Sequence, residues 1–150
     1  MNIQVAAFGN HNPASSRITS LGLVNEHDKA LLLVGNDDGT VRLWADCQHP
    51  DDIDLRSGWN ALSGLESGRR GPGLIVHWRQ MDGVLVAAGD TDTIRIWDMS
   101  HELARQDLVT SSSVTCMAAV PSMPNLFAAG RVDGRIHLYD VRVQAQSEGR

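Results

Sequence analysis

The stretch VGNDDGTVRLW at 34–44 decides the fold, because two others, AAGDTDTIRIWD at 87–98 and AGRVDGRIHLYD at 129–140, say nearly the same thing. Each opens on an apolar run, passes a polar turn holding Asp, and closes on alternating residues that end in Trp or Tyr. A pattern recurring at intervals of roughly 40 to 50 residues marks a repeat architecture. Such units build binding surfaces more often than they carry chemistry.

Within each unit the closing segment alternates with β-branched or large apolar residues at every second position, at 40–44, 93–97 and 135–139. Alternation of this kind predicts strands. Upstream lie continuous apolar runs at 30–34, 84–88 and 126–129, as expected of strands covered on both faces. The turns between them are Asp37-Asp38-Gly39, Asp90-Thr91-Asp92 and Val132-Asp133-Gly134. Asp-Gly is a strong hairpin signal because glycine supplies the positive φ such a turn needs. The middle turn lacks that glycine, so Asp92 is expected to take the left-handed position. A further strand is predicted before each hairpin, at 18–24, 74–80 and 114–120. A weaker fourth follows at 59–62 and 104–108.

Four antiparallel strands with apolar residues on both faces cannot stand alone in water, and radial stacking against neighbours covers them. The expected fold is therefore all-β, a β-propeller of about three four-stranded blades. The closing residues identify the repeat type: Trp97-Asp98 is the Trp-Asp dipeptide, Tyr139-Asp140 a variant of it, and Trp44-Ala45 has lost the acid. The structural signature comprises Asp38, Gly39, Trp44, Asp92, Trp97, Asp98, Asp133, Gly134, Tyr139 and Asp140. The Gly-His pair that accompanies many such repeats is missing from all three units, so contacts other than an Asp–His network must hold these turns.

The predicted organisation is a connector or outer strand of an earlier blade at 1–16, blades at 17–62 (with an insertion), 63–110 and 111–142 (partial), and a tail at 143–150. Residues 45–73 read as a long insertion rich in Asp, Ser and Gly. Propellers close with about four to eight blades, so three make an arc. The chain is expected to be part of a larger propeller or to close by assembly.

The 150 residues carry a net charge of -5 with 42% apolar content, which allows a core and argues against a nucleic-acid surface. The one compact basic spot is Arg69-Arg70, beside glycines. With Trp59 these two form the candidate partner-contact set, since Trp and Arg dominate interface hot spots. Arg42, Arg95 and His137 recur at one position and are expected to pack or stack beside the closing aromatics.

Six histidines are scattered singly, and Cys47 with His49 lacks the second ligand pair that a structural zinc requires. There is no Gly-x-Ser-x-Gly elbow, and Gly71-Pro72-Gly73 precedes a strand rather than opening a helix. No catalytic residue, cofactor or metal is expected. Two cysteines without framework spacing, no visible signal peptide and no long apolar run point to a cytoplasmic protein without membrane insertion.

The runs FGNHNPASSRITSLGLVN (8–25), ALLLVGNDDGTVRLW (30–44) and GWNALSGLESGRRGPGLIVHWRQMDGVLVAAGDTDTIRIWD (58–98) resemble the start of the C-terminal propeller of the Raptor family. The Trp59 segment, the Arg70-Gly71 loop and the strand from Gly73 to Trp78 fall in the same order as in that family. The resemblance implies a non-catalytic scaffold in TOR complex 1, with the TOR kinase and other subunits of that complex as partners. It also implies recruitment to lysosomal or vacuolar membranes in nutrient signalling. Substrate-motif recognition in that family belongs to another region, so no such site carries over. Trp44-Ala45 and Tyr139-Asp140-Val141-Arg142 depart from the family pattern. The alternative is a general Trp-Asp-repeat adaptor in a ubiquitin-ligase or trafficking complex.

Overall fold

The computed structural model describes residues 16–25, 27–47, 49, 52–66, 68, 73–120 and 122–142. Among the described residues eleven strands run in chain order: β1 (Ile18–Val24), β2 (Leu31–Asn36), β3 (Thr40–Ala45), β4 (Asp54–Asn60), β5 (Ile75–Arg79), β6 (Val84–Ala88), β7 (Thr93–Asp98), β8 (Leu103–Val109), β9 (Val114–Ala119), β10 (Leu126–Arg131) and β11 (Ile136–Asp140). They form three antiparallel sheets in simple order: β1-β2-β3-β4, β5-β6-β7-β8, and a three-stranded β9-β10-β11. The sheets approach each other along their first strands, β1 near β5 and β5 near β9. This is an incomplete β-propeller of three blades.

The register sorts the side chains. On the first sheet Leu33 lies opposite both Gly22 and Leu43, and Val41 lies opposite Trp59. That face packs on Leu74, Leu85 and Ala87 of the second unit, with Trp78 and Trp97 at the margin. The reverse face of the second sheet supplies Val84, Val86, Ile94, Ile96 and Leu108, which meet Val114, Phe127 and Ala129 of the third. All of β6 is buried, which explains its unbroken apolar sequence. At about 25 cal/mol per Å² of apolar surface removed from water, this double burial is the main stabilising contribution.

Polar groups fix how the sheets approach. The Thr19 hydroxyl donates to the Leu74 carbonyl at 2.6 Å, and the Ser20 hydroxyl accepts from the Val76 N–H at 3.3 Å. Gly89 (φ 151°) passes so close to Gly73 that a β-carbon on it would sit 2.1 Å from the Gly73 carbonyl oxygen. Only glycine fits that crossing.

Two expectations need correction. Residues 54–60 are not part of an insertion but the outer strand of the first sheet, which starts five residues earlier than the weak strand expected at 59–62. Its residues are almost all exposed, and a strand without a buried face carries no alternation signal. Second, Asp92 is not left-handed: the non-glycine residues with positive φ among those described are Asn25, Lys29, Asp46 and Glu102. The buried Thr91 hydroxyl closes the middle turn instead, donating to the Thr93 carbonyl at 2.8 Å and accepting from the Thr93 N–H at 3.4 Å. A side-chain hydroxyl does the work that positive φ does in the other two turns.

Candidate interaction surface

The outer turns use Gly39 (φ 83°) and Gly134 (φ 80°) as expected. Their aspartates cap the strand that follows. Asp38 accepts from the Thr40 N–H and hydroxyl at 2.9 and 2.6 Å. Burial pushes its carboxyl up, but the Thr40 hydrogen bonds and the Arg42 charge outweigh this and hold it below the usual range. Asp133 accepts from the Arg135 N–H at 3.1 Å and pairs with the buried Arg131 at 2.6 Å. These local bonds replace the absent Asp–His network.

Asp98 and Asp140 close their strands in the same manner. The Asp98 carboxylate accepts from the Ser100 hydroxyl at 2.7 Å and from the backbone N–H groups of Ser100 and His101, and lies 3.0 Å from His101 Nδ1. The Ser100 hydroxyl first, then His101, hold it down at about 2. Arg142 does the same for Asp140, also at about 2. Trp44-Ala45 has no acid for such a cap.

Arg95 ties two sheets together. Its guanidinium forms two 2.8 Å bonds with Asp107 on β8, and its Nη1 donates at 2.6 Å to the carbonyl of Ser63, in the segment that follows β4 of the first sheet. The equivalent Arg42 donates to Asn36 Oδ1 at 2.9 Å, and His137 lies 6.2 Å from the Tyr139 ring in a stacked arrangement. Tyr139 itself stacks on Phe127 at 5.1 Å.

Trp59 is held in β4 opposite Val41, with its ring edge-on to Trp97 at 6.1 Å and 63°. Trp97 Nε1 donates to the Ala61 carbonyl at 3.1 Å, whereas Trp59 Nε1 is buried without a partner. The two indoles, Met99 and a rim of Ser57, Ser63 and Glu102 line a cleft of about 450 Å³ between the first two sheets. Trp59 thus belongs both to the inter-sheet packing and to a surface cleft. Arg69 and Arg70 lie outside the described residues. Sequence reasoning passed over Arg79, a buried cation in β5. Its one visible signal is a charge that closes a largely apolar strand, two residues after His77.

Among the described residues, no three His, Cys, Asp or Glu side chains gather where they could hold a metal, and no helix is long and apolar enough to cross a membrane. The family model for the WD domain, G-beta repeat, matches residues 3–45 and 105–140, more than half of the chain. The chain belongs to the WD-repeat family. Each match ends at the close of a third strand, and the second begins inside β8, the outer strand of the preceding sheet.

Full-length similarity is narrower. The chain is 36% identical over 93% of its length to the target of rapamycin complex 1 subunit KOG1 of Saccharomyces cerevisiae, covering 9% of that protein. It is 37% identical over 93% of its length to the target of rapamycin complex 1 subunit mip1 of Schizosaccharomyces pombe, covering 11% of it. The crystal structure of Chaetomium thermophilum Raptor superposes with a TM-score of 0.81 at 33% identity, covering 91% of this chain and 12% of that one. The resemblance to Raptor-type WD repeats drawn from the sequence therefore holds, and the chain spans about a tenth of the length of these relatives.

Proposed function

We propose that the chain is a non-catalytic scaffold element that works through protein contacts in TOR complex 1. The observation that carries this reading is similarity to complex 1 subunits over 93% of the chain. Repeat signatures alone are shared by many propellers, whereas this similarity also runs through the segments between them. The partners in this reading are the TOR kinase and other subunits of the complex, and the location is the cytoplasm with recruitment to the lysosomal or vacuolar surface. The blade units are 17–62, 63–110 and 111–142, a division supported by each enclosing one sheet. Trp59, together with Arg69 and Arg70 later in the sequence, is the proposed partner contact.

Affinity purification of the endogenously tagged protein, read by mass spectrometry, tests the reading. TOR kinase is the expected co-purifying protein, and Trp59→Ala is expected to lower its recovery. Recovery of ubiquitin-ligase or trafficking subunits without TOR kinase would overturn the proposal in favour of a general WD-repeat adaptor.

A further inference from the structure

A second cleft, of about 220 Å³, opens where β5 meets the loop between β9 and β10, and Trp78, Arg79, Met81, Ala119, Val120 and Pro124 line it. This is below the ~300 Å³ at which pockets for whole small molecules begin, and suits a side chain or two of a larger partner. Its rim is unusually apolar for a loop surface: Met81 is 88% exposed, Val120 46%, and Met123 in the same loop 52%. Exposed methionines form adaptable binding surfaces.

The floor holds an unfinished polar group. The Arg79 side chain is 6% exposed and its Nη2 pairs with Asp82. Its Nη1 is buried and makes no hydrogen bond. A buried donor left unmade is costly, and on a guanidinium the group that best satisfies it is an anionic oxygen, because charge-assisted bonds are about twice as strong as neutral ones. His77, two residues earlier on the same strand face, also lines the cleft. Burial, then the Arg79 charge, push its imidazole down, so it stands there neutral and able to donate one N–H.

We propose that this cleft binds a peptide segment of a protein partner in which an aspartate or glutamate adjoins a large apolar side chain. The carboxylate meets Arg79 and the apolar side chain covers Met81 and Val120. The proposal concerns a cleft that Trp59 does not line and holds whichever complex the chain serves.

Selection of random displayed peptides on the purified chain tests it. The expected consensus pairs an acidic residue with Leu, Ile, Phe or Met. In fluorescence anisotropy the synthetic consensus peptide should lose roughly tenfold in affinity when its acid becomes the amide. Met81→Asp, at an exposed position that leaves the fold intact, should weaken binding at least as much, and so should Arg79→Lys. If Arg79→Lys fails to fold, Met81→Asp and the amide peptide still decide. No enriched consensus, a consensus without an acid, or affinity indifferent to Met81→Asp would overturn the proposal.

Discussion

β6 and β10 hold the same place in their sheets, second from the inner edge, and both read as apolar runs, VLVAA and LFAAGR. All five residues of β6 are buried, whereas β10 alternates between buried and half-buried. The difference lies outside the strands. The second sheet has a neighbour on each face. The third has one: Phe127 and Ala129 point into the shared core, while Ala128 lies between Ala118 and the 69%-exposed Leu138, and Gly130 between Cys116 and the 80%-exposed Ile136. A propeller blade is thus written for two covered faces whether or not both are covered. Burial follows from company rather than from the strand's own composition.

The sharpest way to break this contrast is to place one charge on each sheet. Val86→Asp buries a carboxylate with no partner between two sheets, and should cost about 5 kcal/mol and abolish cooperative urea unfolding. Leu138→Asp should leave stability within about 0.5 kcal/mol and reduce self-association in sedimentation, because it interrupts an exposed apolar face. Equal effects would mean that the two sheets are covered alike.

Phe127→Ala, which empties the junction of the second and third sheets, should cost about 3–5 kcal/mol by urea denaturation. Arg95→Ala probes the polar tie between the first and second sheets. Asp107 is 41% exposed, so solvent screening limits the loss to about 1 kcal/mol. The smallest effect concerns Asp98. Its folded-state carboxyl lies at about 2 against an ordinary 3.8, so its contribution is present above pH 3.8 and fades as the pH falls towards 2. Asp98→Asn should lower thermal stability slightly near neutrality and converge with the parent as the pH falls towards 2, which flattens the profile in that window.

Legibility in the sequence follows the same division. Strands with a buried face announced themselves, as did the two turns in which Gly39 and Gly134 must be left-handed. The middle turn misled because its closure rests on the Thr91 hydroxyl, a choice that composition does not reveal. The start of β4 reads as insertion because Asp54, Arg56 and Ser57 are exposed and belong to a strand that Trp59 alone ties to the core. Trp59 was visible as a residue but not as half of an indole pair. Arg79 went unnoticed because an unmade hydrogen bond exists only once the chain is folded.

The phase between the repeat and the sheet has a consequence of its own. Since the matched segment 105–140 starts in β8 and finishes in β11, one sequence unit finishes an old sheet and begins a new one. Copying such a unit within a gene cannot produce a free-standing blade. Each new copy arrives already laced to its predecessor, so the architecture lengthens the way a knitted row does, with every addition locking the loop before it.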